Sequence, residues 1–383
     1  MPAIIGWIWR QFPATMRRMF KYLIVAFLIP AALFSGCQTT STPVKTGFSH
    51  FVGVDDFSGF TRSQNERGET ILISPEIKAG IFWNQLIVSW NADAPAGTFL
   101  KVEASAISSG HATRFYTLGN WSLDNKAFPR SSPGHQKDSD GSVNTDTFVL
   151  THPAEAAQIC ITLGGTNGAR PALKFLGISF SNTKSPTAAM APNCAAWGKI
   201  VATPERSQHG YPEGKGWCSP TSLSMALARW AEILNRQEMN LTVPQVAGAV
   251  YDENYHGTGN WAFNAAFAGS FSGMRSCVTR FDDLSEVEDW IAAGIPVILS
   301  ARWDWLRPGR PLDSAGHLIV CIGFTSDGDV IINDPAAHLD GGDTVRQIYK
   351  RSDVIHSWSS SHNTVYLVYP ITAALPKNRY GHW

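Results

Sequence analysis

About halfway along this chain the period of its hydrophobic residues changes. From Phe48 to about Phe180 the apolar residues come in short, often alternating runs. Examples are Leu86-Ile87-Val88-Ser89-Trp90, Phe99-Leu100-Lys101-Val102, Ile159-Cys160-Ile161-Thr162-Leu163 and Phe175-Leu176-Gly177-Ile178-Ser179-Phe180. Gly, Pro, Asn and Asp separate the runs. A period of two bounded by turn residues is a strand pattern, and many such strands predict an antiparallel β-sandwich over 48–181. After Cys218 the pattern differs. Leu223, Leu227, Trp230 and Leu234 recur at three- and four-residue spacing, which predicts one helix over Pro220–Leu234. Leu284–Ala293 is a second helix candidate, with Ser285 as its cap. Val297–Ser300, Leu318–Phe324 and Val330–Asn333 read as strands, and Asp327-Gly328 marks a hairpin between the last two. The mixture predicts an α+β domain over 204–372. The polar segment 182–203, with Pro186 and Pro192, reads as a linker, and 373–383 as a tail. A length of 383 residues suits two domains.

The N-terminus reads as a targeting segment. Arg10, Arg17, Arg18 and Lys21 precede an apolar run from Tyr22 to Phe34, followed by Ser35-Gly36-Cys37. A basic start, a short apolar stretch and small residues are the signs of secretion. The run is too short for a comfortable spanning helix. Leu33-Phe34-Ser35-Gly36-Cys37 resembles a bacterial lipoprotein signal, although Phe34 stands where Leu is usual. That resemblance implies residues 1–37 as signal, with Cys37 lipidated and the first mature residue, and 38–47 as a tether. Met16 or Met19 is an alternative start, and an uncleaved anchor ending near Cys37 is the alternative to cleavage. Either way the body is expected in the bacterial cell envelope, outside the cytoplasm, attached to the membrane. Charge excludes one class of partner. Lys+Arg and Asp+Glu are 31 each, so no basic excess exists for nucleic acid. Cys160, Cys194, Cys277 and Cys321 allow two disulfides in any of three connectivities, with a buried free thiol an equal reading for Cys321. No spacing fits a zinc site.

Cys218 stands just before the predicted helix, and Pro220 suits an initial helical position. The positive end of a helix dipole favours a thiolate, the nucleophilic form of cysteine. Amides at the same helix start are suited to stabilising an oxyanion, and Gln208 upstream adds a side-chain amide. A base must lie within hydrogen-bond reach. His317 opens an apolar strand after Ser314-Ala315-Gly316, and Asp334 ends the next strand. With a two-residue loop at Asp327-Gly328, Asp334 falls opposite Cys321, on the face of His317 but four residues away. Curvature or a bulge must close that gap before Asp334 can hold the imidazole.

Ser207-Gln208, Gly216-Trp217-Cys218-Ser219-Pro220-Thr221-Ser222, Gly316-His317-Leu318-Ile319-Val320 and Ile332-Asn333-Asp334-Pro335-Ala336 together resemble the papain-like cysteine peptidases that process bacteriocin leaders, and more closely their stand-alone secreted relatives. Those relatives also tend to carry something similar to Gly257-Thr258-Gly259-Asn260-Trp261-Ala262-Phe263-Asn264. The resemblance covers about 205–370. It implies Cys218, His317 and Asp334 as a triad, Gln208 as the oxyanion donor, peptide or protein substrates, and no metal or organic cofactor. Ser219 departs from the family's more usual Gly. Trp217, Asn260 and Trp261 are candidates for the substrate cleft, with a capped turn and a core Trp as the plainer reading of the last two. Trp83, Trp90 and Trp121 suit either a stacking surface for cell-wall glycan or peptide, or the sandwich core. Two rivals to a hydrolase remain: an acyl or peptidyl transferase or amidase using the same thioester, and a non-catalytic envelope-binding lipoprotein.

Overall fold

The computed structural model describes residues 47–307 and 316–383. The expectations for the signal, for Cys37 and for nearly all of the tether lie outside these residues. Among the described residues no helix is long and apolar enough to cross a membrane.

The first half is all β. Its strands are β1 (Ser49–Val54), β2 (Thr61–Gln64), β3 (Thr70–Ile73), β4 (Ile77–Asp93), β5 (Thr98–Ser108), β6 (His111–Ala112), β7 (Tyr116–Trp121), β8 (Gly141–Asn144), β9 (Thr147–Gly165) and β10 (Ala172–Ser181). All pairings are antiparallel, and they join into one ten-stranded network instead of two separately bonded layers. The reason is the length of β4 and β9. β9 pairs with β8 and β4 near its start and with β5 and β3 further on, so it carries the sheet around a bend.

The second half begins with α1 (Cys218–Leu234), α2 (Val243–Val250) and α3 (Trp261–Ser270). There follow β11 (Met274–Arg280), α4 (Leu284–Ala292), β12 (Val297–Arg302), α5 (Trp303–Leu306), β13 (Gly316–Phe324), β14 (Val330–Asn333), β15 (Arg346–Tyr349), α6 (Arg351–Ser359) and β16 (Thr364–Pro370). The six strands form an antiparallel sheet in the order β11-β16-β12-β13-β14-β15. The cap of α4 is Asp283, not Ser285: its carboxylate accepts the Ser285 N–H at 2.8 Å. α3 escaped the periodicity because it has no polar face. Eight of its ten residues are buried.

The two halves share one core. Phe263 of α3 lies 6.1 Å from Trp90 and 5.4 Å from Trp121, ring centre to ring centre. Gly269 makes this approach possible, because a Cβ there would lie 2.0 Å from the Asn91 amide. That amide bonds both the carbonyl and the N–H of Ser276, at 2.8 and 3.1 Å, and so ties β4 to β11. Trp83, Trp90 and Trp121 are all buried, so none offers a stacking surface. Residues 182–203, expected as a linker, are mostly exposed over 184–189, where the Ala188 N–H reaches the second half at Asp282, and then bind it more closely. Asn193 bonds Glu288 and Asp289, Trp197 Nε1 bonds Glu288 at 2.7 Å, and Val201 N–H bonds Ile322 O. The expected tail also packs back. His382 is buried against Glu286 at 2.7 Å, and Trp383 meets Phe281 and Trp290 edge-on. Apolar and charged partners for Trp197, His382 and Trp383 lie far away in sequence, which is why composition alone read these segments as loose.

Candidate active site

The site is assembled where α1 meets the sheet. Two hydroxyls pin the first turn of that helix. Ser222 Oγ donates to the Leu318 carbonyl on β13 at 2.9 Å, and the Ser219 and Tyr366 hydroxyls are 2.9 Å apart. Ser219 therefore has a packing role that a glycine lacks. Trp217 occupies the cap position without a side-chain cap bond, so the leading amides of α1 are not taken by a capping group. Cys218 is half-buried at this helix start.

His317 faces it from β13. The imidazole is buried, and Nε2 is 2.8 Å from Asp334 Oδ1. The other ring nitrogen is left for Cys218, whose side chain lies near enough to help raise the imidazole pKa. The edge of Trp303 packs on the ring, 4.8 Å between centres. The hairpin explains how Asp334 reaches His317. Its loop has three residues, not two: Thr325 N–H bonds Asp329 O, and Gly328 takes the left-handed position at φ 84°. A bulge between Cys321 and Gly323 shifts the register again. Asn333 pairs with Val320, which brings Asp334 level with Ile319, two residues nearer to His317 than the simple hairpin puts it.

Asp334 is fully buried and heavily bonded. Besides His317 it accepts the Ala336 N–H at 2.9 Å and the Tyr349 hydroxyl at 2.7 Å, and Arg307 Nη2 lies 3.1 Å from Oδ2. Burial alone would raise its pKa, but the His317 charge and hydrogen bond, then Arg307 and Tyr349, outweigh burial and hold the carboxyl well below its ordinary range. For His317 burial works downward, and the Asp334 charge and hydrogen bond, then Cys218, raise it to about 9. Arg307 Nε in turn donates to the Tyr349 hydroxyl at 2.6 Å. Arg307 and Tyr349 carry no sequence signal, because only the fold brings β15 and the end of α5 to the same carboxylate.

Gln208 starts a short 3-10 turn fixed by the segment that follows Asp334. Its N–H bonds Pro335 O at 2.8 Å, and Ser207 Oγ bonds Ala337 O at 2.6 Å. The Gln208 side chain is buried, and its Oε1 has no hydrogen-bond partner among the described residues. Asn260 is placed away from the cleft. It is fully buried and caps α3, accepting Phe263 N–H at 3.1 Å and donating to Asp252 at 2.8 Å. Trp217 and Trp261 line the cleft. The four remaining cysteines are unbridged, three of them buried in strands and Cys194 exposed.

Cys218 opens into a cavity of about 710 Å³ walled by both halves. The second half supplies Trp217, Tyr255, Thr258, Trp261 and Arg280, and the β half supplies the β8–β9 turn. At the tip of that turn Asp146 accepts the Trp261 N–H at 2.6 Å. Burial raises the Asp146 carboxyl to about 6. No sequence signal marked Asp146 or Arg280.

Residues 43–181 match the family model described as the peptidase C39 N-terminal domain, and residues 200–366 match the one described as the peptidase C39 like family. The two models follow one another along the chain and agree, so both halves match C39 peptidase families. Among solved structures it is similar to a protein from Bacillus anthracis described as a C39-like peptidase, with 16% identity over 44% of this chain and 96% of that one, at a TM-score of 0.33. It is also similar to the C-terminal CBM6 of LamC from Zobellia galactanivorans, with 13% identity over 33% of this chain and 98% of that one, at a TM-score of 0.17. Likeness at these TM-scores defines neither ligand nor activity. No curated protein matches the chain.

Proposed function

We propose that this chain is an extracytoplasmic cysteine peptidase with Cys218 as nucleophile, in a papain-like α+β half preceded by a β-sandwich. The observation that carries the reading is the buried His317–Asp334 pair at 2.8 Å, with Cys218 at the adjoining helix start near enough to help raise the same imidazole's pKa. The Cys218 sulfur attacks the carbonyl carbon of a peptide bond. The Cys218 amide and the Gln208 side chain stabilise the oxyanion, and His317 gives its proton to the departing amine. Water then attacks the thioester. His317 takes the water's proton, the thiolate leaves, and a carboxylic acid is released. Asp334 fixes the tautomer and supports the imidazolium. The test is turnover of a peptide mixture, read by mass spectrometry, in the wild type and in a folded Cys218→Ala variant. Cleavage that persists in that variant would remove Cys218 as nucleophile.

The same reading includes lipid attachment at Cys37 and a place in the bacterial envelope, supported by the basic and apolar segment that precedes it. Mass spectrometry of membrane-extracted protein should find a lipid-modified Cys37 as the first residue. A mature chain that retains Met1, or begins well past Cys37, would refute it.

A further inference from the structure

Arg280 ends β11 inside the cavity that Cys218 opens into, and the chemistry above makes no use of it. The side chain is 2% exposed. Nε donates to Thr364 Oγ1 at 3.2 Å, and Nη1 is buried with no hydrogen-bond partner among the described residues. Burial lowers its pKa to about 10, so the guanidinium stays charged at neutral pH. Asp146 is close enough to act on that charge. The two make no ion pair, however, and the Asp146 oxygens accept the Trp261 N–H and the Thr147 hydroxyl, the latter at 3.2 Å. A buried guanidinium without a paired carboxylate is expensive to keep, and it is stabilised when an anion arrives. The nearby Asp146 charge disfavours a dianion. A single carboxylate matches the fork of one guanidinium.

We propose that Arg280 is a specificity residue that binds a carboxylate of the peptide substrate a few residues from the scissile bond. The proposal rests on the peptidase reading above. The sheet order sets the distance. β11 is separated from β13, which carries His317, by β16 and β12, hence by three strand spacings or roughly 14 Å. An extended peptide covers about 3.3 Å per residue, and the arginine side chain reaches back, so the carboxylate sits about two to four residues from the reacting carbon. The β8–β9 turn shapes the same end of the cavity. Thr145, a β-branched residue, is held there at φ 57°, in the left-handed region such residues avoid, and Asp146 follows it.

Alkylation of Cys218 tests this without requiring turnover. Bromoacetyl peptides of one to four glycines extend from the thiol in one direction, and succinyl-glycyl chloromethyl ketones of the same lengths extend in the other. Each is compared with its neutral carboxamide. A third set ends in an aspartyl carboxamide, so that a side-chain carboxylate is distinguished from a terminal one. In one direction, at two to four residues, the carboxylate reagent should react about ten-fold faster than its neutral twin, the scale of one charge-assisted contact. Arg280→Gln should bring the ratio near one, and Arg280→Lys should keep part of it. If Arg280→Gln does not fold, Asp146→Asn should raise the ratio by removing the competing charge. No carboxylate advantage at any length in the wild type, an advantage that survives Arg280→Gln, or a ratio unmoved in Asp146→Asn would each overturn the proposal. Failure of the peptidase reading looks different: the reagents would then label exposed Cys194 as readily as Cys218.

Discussion

Asp334 gathers four partners around one buried carboxylate, and its effect is read on His317. Because the imidazole pKa is raised from 6.5 to about 9, the ring keeps its proton through neutral pH and loses it as pH rises through about 9. If turnover needs the imidazolium to protonate the leaving amine, kcat/KM should show an alkaline limb near pH 9. Asp334→Asn removes the charge that raises the ring, while burial still lowers it, so the limb should move down by roughly a unit or more. A limb that stays in place in a folded Asp334→Asn protein would deny Asp334 this role. Stability follows the same sign. A raised histidine contributes stability that is complete below pH 6.5 and lost as pH climbs through about 9, so thermal melts should weaken over that window in the wild type and less in His317→Ala. His317→Ala should also abolish turnover, since the thiol loses its partner and the amine its acid. Gln208→Ala should lower kcat by roughly a hundred- to a thousand-fold, the usual loss of one oxyanion donor, with Cys218 alkylation little changed. A parallel loss of alkylation would mean that Gln208 acts on the thiol or on the fold instead.

At the scale of elements, the segment between α2 and α3 decides the shape of the cleft, and it is held from the other half. Arg130 is 1% exposed and donates to the carbonyls of Ser122, Gly248 and Tyr251. Buried Asp252 accepts Ser132 N–H at 3.0 Å together with the N–H groups of Asn254 and Tyr255. Arg130→Ala strips several buried carbonyls of their donor and should cost about 2–4 kcal/mol, seen as a lower denaturation midpoint. It should also raise KM more than it lowers kcat, because Tyr255 and Thr258 line the cleft but do not touch the His317–Asp334 pair. An unchanged KM would show that the segment keeps its shape unaided. The same region shows what the sequence could and could not tell. Cys218, His317 and Asp334 each carry a local signal: a helix start, the opening of an apolar strand, and the end of a hairpin. The bulge and the three-residue loop that bring Asp334 level with Ile319 are choices of register, and strand patterns of uniform hydrophobicity leave register open. Asn260 sits where an N-cap residue belongs, ahead of Trp261-Ala262-Phe263, and that plainer reading is the one its hydrogen bonds match. Arg130, Asp146 and Arg280 act across the junction of the halves, over separations of more than a hundred residues, and no local pattern announces them.

At the scale of the whole molecule, the sequence suggests two domains on a linker, yet the described chain from 47 onward clusters as part of one compact unit. Three connections account for this. Phe263 seats between Trp90 and Trp121, Asn91 bridges β4 to β11, and Gly381 O accepts the Phe51 N–H while Trp383 packs under α4. The peptide that joins the halves is therefore not what holds them together. Protease should find its opening within 184–189, where the chain is mostly exposed, and should spare 193–201, where Asn193, Trp197 and Val201 are bonded. After such a nick the two fragments should still elute together from a sizing column under native conditions, melt in one transition, and retain Cys218 alkylation. They should separate only in denaturant, because separation exposes the tryptophans and Phe263 to water at about 1.5–3 kcal/mol for each large side chain. Fragments that part under native conditions, each still folded, would show that the cavity walls supplied by the β half are borrowed loosely, and the role given to Asp146 beside Arg280 would fall with them.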